Sequence, residues 1–220
     1  MKLDEKTLEI LDNFSKISSS ILIFDGNIQK TMTPSKSVLA EAELPFKFEK
    51  EFGIYDLPKF LALLSLFDDP NIELDSTEAI ISEGDTKATY MFCDKELIKH
   101  PPKDKSISMS NPEVSFQLSK DTFSHLKKSA AVLGVPHFVV SGDGEKISIT
   151  VKDMNVTSKD KLSKTVGETS LEFEYIFDID VMKFLDHNYD VTIANPGTVV
   201  VCFSSKDTKL KYWVPSQSSK

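Results

Sequence analysis

Arginine is absent from this chain: all 26 basic residues among its 220 are lysine. Arginine's planar fork is the usual bidentate reader of guanine, so its absence weighs against a sequence-specific DNA reader. Codon usage in an AT-rich genome produces the same composition. Cysteine is scarce. Cys93 and Cys202 stand alone in separate segments, with no CxxC pair and no disulfide framework, which fits reduced core residues of a cytosolic protein. No stretch approaches the roughly 20 apolar residues that cross a bilayer; the nearest is FLALLSLF at 60–67. The opening MKLDEKTLEILDNF is acidic and amphipathic, unlike a signal peptide, so the expected location is the cytoplasm. Catalytic signatures are also missing: there is no GxSxG, P-loop or GxGxxG, and GDGE at 142–145 reads as a hairpin. His100, His125, His137 and His187 form no HxxxH or HxH pair with a partnering cysteine. Nothing here calls for an enzyme, a metal or a cofactor.

What is present suits a folded protein. Hydrophobic residues make up 40% and aromatics 10% of the chain, enough for a sizeable core. The length allows one large domain or two small ones. The net charge is −8, but the excess is uneven: residues 1–105 hold 13 lysines against 20 acids, and residues 106–220 hold 13 against 14. A single-strand binder that grips by charge and stacking would be more basic and richer in tryptophan than a chain whose only one is Trp213.

A phrase recurs about half a chain apart. IYDLPKFLALL at 54–64 and IDVMKFLDH at 179–187 share Asp-x-x-Lys-Phe-Leu, as Asp56, Lys59, Phe60, Leu61 and as Asp180, Lys183, Phe184, Leu185. Each copy is followed by a related run, DTKATY at 85–90 and DTKLKY at 207–212, and preceded by a helix-like segment. There Leu3, Thr7 and Leu11 line up with Leu118, Thr122 and Leu126. The order and offsets imply a duplication.

Each half then reads alike. A helix over about 4–17, or 119–133, leads into alternating strands broken by turn residues: SSILIF, IQKTM, VLAEAEL and FKFEKEFGIY, then HFVVSG, KISITVK, MNVTS and TSLEFEYIF. A second helix, over about 57–67 or 181–187, is predicted to be capped by Asp56 or Asp180. Three strands close each half, around 71–75, 78–82 and 86–92, and around 190–194, 198–203 and 208–214. The expected class is α+β, with about eight strands per half and few helices on one face of a sheet. The expected division is a first domain at 1–104, a linker at 105–112 within the proline-containing KHPPKDKSISMSNP, and a second domain at 113–220.

The helices carry the candidate binding residues. Phe123, Leu126, Ala130 and Leu133 share one face of the third helix at 3.6-residue spacing, and Lys120, Ser124, Lys127, Lys128 and Ala131 form a separate stripe. Lys59 and Lys183 lie near helix starts, where the macrodipole slightly disfavours a cation. A solvated face explains one such lysine; its repetition suggests phosphate. The first helix fits less well, since Glu5, Glu9 and Asp12 share its outer face with Lys16, and Asp12 occupies the position that repeats Lys127.

The run LDNFSKISSSILIFDG and the block GIYDLPKFLALLSLFDDPNIEL resemble the sliding clamps of T-even-type bacteriophages, the processivity factors of the phage replicative DNA polymerase. The match is strong to about residue 75 and rests beyond it on the order of elements. The resemblance implies two duplicated domains of the DNA-clamp fold, with helices lining the inside and antiparallel sheets outside. Three chains would close head to tail around duplex DNA and bind it without reading its sequence. The implied partners are the polymerase, an ATP-driven clamp loader and the late-transcription machinery. It would place Lys6, Lys16, Lys59, Lys120, Lys127, Lys128 and Lys183 toward DNA. A partner-peptide pocket near the linker would have Ile98, Ile107, Met109 and Val214 available. The alternatives are a monomeric DNA-binding processivity factor and a structural β-rich protein.

Overall fold

The computed structural model describes residues 1–105, 107, 109, 112–156, 160–195 and 199–217. The chain divides into two compact units, Met1–Lys105 and Ser106–Lys220.

The first unit opens with helix α1 (Glu5–Ile17). Asp4 caps it, its carboxylate accepting from Thr7 N–H at 2.9 Å, which satisfies one of the donors orphaned at a helix start. Ile10, Leu11, Phe14 and Ile17 form its buried stripe, packed on β3 (Leu39–Phe48) and on α2 (Leu57–Leu64). β1 (Ile21–Ile23) pairs with β4 (Phe52–Ile54), and β2 (Gly26–Met32) with β3. VLAEAEL and FKF, read above as two strands, are one. β3 runs through Pro45, and its register with β2 slips between Gly26↔Phe48 and Ile28↔Glu43; that irregularity accommodates a residue with no N–H to give a ladder. β5 (Asn71–Leu74), β6 (Glu78–Glu83) and β7 (Thr86–Met91) form an antiparallel meander.

The second unit repeats the plan. β8 (Val114–Leu118) leads into α3 (Lys120–Leu133), capped by Ser119 Oγ accepting from Thr122 N–H at 3.2 Å. Thr7 and Thr122 thus hold the same place, three residues past the cap, in both leading helices. α3 ends at Gly134, whose φ of 64° is the left-handed turn that glycine adopts without Cβ strain. β9 (His137–Asp143), β10 (Lys146–Lys152), β11 (Lys161–Glu168) and β12 (Glu172–Asp178) form a sheet in the order β11-β10-β9-β12, while β13 (Tyr189–Ala194) pairs with β8 and with β14 (Val200–Ser205), which pairs with β15 (Leu210–Pro215). β11 was not anticipated. Of the predicted MNVTS strand, residues 154–156 form a bend and 157–158 lie outside the described residues.

The fourth helix, expected over 181–187, is not there. Ile179–Val181 make one 3-10 turn capped by Asp178, not by Asp180, and residues 182–185 are irregular. The first copy of the phrase continues FLALLSLF behind Pro58 at the helix start, whereas the second runs after Leu185 into Asp186-His187-Asn188, with β13 beginning at Tyr189. That segment has too few residues, and too little helix propensity, to offset nucleation. Leu133 also departs from expectation: it is 37% exposed, while Phe123, Leu126 and Ala130 are buried.

Candidate nucleic-acid interface

The duplication survives as packing where it fails as helix. In the first unit Phe60 meets Tyr90 edge to face, 5.1 Å between centroids, and the Tyr90 hydroxyl donates to Asp56 O at 3.0 Å. In the second Phe184 stacks on Tyr212 at 4.0 Å, and the Tyr212 hydroxyl accepts from Leu185 N–H at 3.4 Å. In both, the tyrosine of the DTK run anchors the Lys-Phe-Leu phrase through its ring and its hydroxyl. With the phenylalanine turned inward, the preceding lysine is turned out: Lys59 and Lys183 are both exposed.

The remaining lysines divide. Lys59 is the third residue of α2, its own N–H donating to Asp56 Oδ1 at 3.0 Å. Lys120 and Lys128 are exposed on α3. Lys16 is exposed but paired with Asp12 at 2.8 Å, an i,i+4 pair on α1, and Lys6 is half-buried. Lys127 turns inward. It forms an ion pair with Asp186, donates to Phe184 O at 3.1 Å and lies 4.6 Å from the Phe123 ring centroid. Its charge is spent pinning α3 to the irregular 182–186 segment. Asp186 was missed because its partner lies in a segment expected to be helical.

α1 contributes little positive charge. Glu5, Glu9 and Asp12 are exposed along it, as the sequence suggests. Strand β11, packed against α3, adds two exposed lysines that the sequence reading passed over, Lys161 and Lys164. The residues offered for a partner pocket differ in setting. Ile98 is 4% exposed and packs with Leu22 and Phe24, and Val214 is 2% exposed on β15, so both are core side chains. Ile107 is exposed and Met109 half-buried.

Residues 2–98 match the DNA polymerase processivity factor family. The chain is 29% identical to the sliding clamp of Vibrio phage KVP40 over 205 residues, covering 90% of this chain and 92% of the relative. It is also 29% identical to the sliding clamp of Escherichia phage RB69 over 208 residues, covering 91% and 90%. The chain belongs to the sliding-clamp family. Solved structures agree on the fold. The PCNA of A. fulgidus, solved with the C-terminal region of FEN-1, matches at a TM-score of 0.70 and 13% identity, covering 100% of this chain and 98% of that one. Proliferating cellular nuclear antigen from Entamoeba histolytica matches at 0.69 and 16% identity, covering 99% and 98%. The fold is two duplicated domains of the DNA-clamp type, and the alternative of an unrelated β-rich protein falls away.

Proposed function

We propose that this chain is a ring-forming sliding clamp that encircles duplex DNA and tethers the replicative DNA polymerase. The observation that carries the reading is the similarity to phage sliding clamps over nine-tenths of the chain, joined to a fold stated twice within one polypeptide. Two domains per chain and three chains give a pseudo-six-fold ring, and a head-to-tail contact that closes is the symmetry such an assembly needs. The mechanism is topological, with no chemical step. The clamp holds its polymerase on DNA because a closed ring cannot leave sideways.

Phosphate contact falls to the lysines of α2, α3 and the 182–185 segment, namely Lys59, Lys120, Lys128 and Lys183. Point charges without a planar fork make loose, sequence-blind contacts that permit sliding. α1, with Asp12 where the second unit has Lys127, stays out of that contact. A ring closed in solution needs opening, so we place an ATP-driven loader among the partners, and late-transcription proteins as further users of the same ring. The similarity to phage clamps points to the host cytoplasm as the place of work.

Light scattering behind a sizing column, over a range of concentrations, tests the assembly. The expected mass is three times the 24.6 kDa of the chain. A mass of one chain at every concentration would remove the topological mechanism.

A further inference from the structure

The first unit holds a groove of about 610 Å³ between the start of α1, the end of α2 and the turn into β5. Its floor is apolar: Leu8, Leu61, Leu64, Phe67 and Ile72. Its rim is acidic, with Asp4, Glu5, Asp12, Asp68 and Asp69 against a single lysine, Lys2, which is already paired with Asp69. Leu66, between two lining residues, is 77% exposed and extends the apolar surface outward.

The turn at 68–69 is fixed in a way that selects the charge of its visitor. Glu83 accepts from Asp68 N–H at 3.1 Å and from Asp69 N–H at 2.8 Å. Those backbone donors are therefore occupied, and what the turn offers outward is carboxylate. Asp4 spends its oxygens capping α1, and Asp12 pairs with Lys16, while Glu5 and Asp68 have no basic partner among the described residues. An anionic ligand, nucleic acid included, meets repulsion here and no donors.

We infer that this groove docks a basic amphipathic helix of a partner protein. An apolar floor between two helices, large enough for several side chains, accepts anchors spaced at i, i+3 or i+4 and i+7. Five rim carboxylates then favour Lys or Arg on the flanks of that helix, which sets the choice of partner and speeds its encounter. The acidic outer face of α1, out of place on a DNA-contacting helix, becomes the wall of a protein site. The groove lies wholly within the first unit, so the inference stands whether or not the ring forms.

The test uses the full chain and a fluorescently labelled 18-residue helical peptide of leucine and lysine, read by anisotropy. The control probe has the same leucines with glutamate in place of lysine. The lysine probe is expected to bind at least tenfold more tightly than the glutamate probe, and less tightly as salt rises. Asp68→Lys on the rim and Leu61→Gln on the floor should each weaken it about tenfold without changing the melting temperature. Asp68→Lys keeps the backbone N–H that Glu83 accepts, so it should fold. Glu145→Lys, on the β9–β10 hairpin of the second unit, alters net charge equally and should leave binding unchanged. Equal binding of the two probes, or an equal loss in Asp68→Lys and Glu145→Lys, would overturn the inference, the second by reducing binding to diffuse net charge.

Discussion

Lys30 lies on β2 and is 3% exposed, a charge removed from water. Its ammonium is met by Glu41 at 3.3 Å and by the carbonyl oxygens of Lys103 at 2.8 Å and Lys105 at 2.9 Å, so it ties the β2–β3 pair to the stretch where the first unit ends. Removing one partner of such a pair leaves the other buried and unpaired, so Lys30→Met should cost about 3–5 kcal/mol. Urea unfolding checks this, and amide exchange should speed up at residues 102–105. Nothing in IQKTM distinguished this lysine from a solvated one, because its partners lie more than 70 residues further on. Tyr189 makes a second residue-level case. Burial, with help from Tyr212 and Asp186, pushes its phenol far above the ordinary tyrosine range, and its hydroxyl donates to Leu185 O at 2.5 Å. The folded phenol holds its proton more tightly than the unfolded one. Its contribution is therefore complete below about pH 10 and declines as pH rises above that. Denaturant melts from pH 8 to 11 should show this decline, and Tyr189→Phe should flatten it.

Elements were legible where local rules sufficed. The leading helices could be read from cap and period together: Asp4 or Ser119, then threonine three residues on, then a buried stripe. The fourth helix was misread because Lys-Phe-Leu was taken to carry a helix, whereas what it carries is a phenylalanine for a tyrosine. Phe60 and Phe184 are 2% and 3% exposed, so truncating either to alanine should cost about 3–5 kcal/mol despite their different backbones. Similar losses in thermal or urea melts would mark the aromatic pair as the preserved unit; a negligible loss for Phe184→Ala would deny it. β11 escaped notice because its burial does not alternate, so the period-two signal was missing. At the same scale, Lys59, Lys120 and Lys128 should act as separate phosphate contacts. Each alanine change is expected to lower the slope of log K against log salt for duplex binding by about 0.9, and Lys127→Ala should instead lower stability, since its charge faces Asp186.

For the whole molecule, the duplication, the α+β class and the family resemblance could all be read from one chain, since repeats and motif order survive without coordinates. Where the charges point could not. Lys127 and Asp12 occupy equivalent positions in their helices, yet one turns toward Asp186 and the other stays at the surface beside Lys16. A clamp with an acidic body and a few outward lysines should hold DNA weakly by contact and firmly by topology. The most direct measurement compares retention on circular and on linear duplex DNA of equal length after loading, at a salt concentration that suppresses phosphate contact. The account requires the clamp to stay on the circle and to be lost from the linear DNA once its ends are free, with blocked ends restoring retention. Equal loss from circle and line, or equal retention on both, would contradict it.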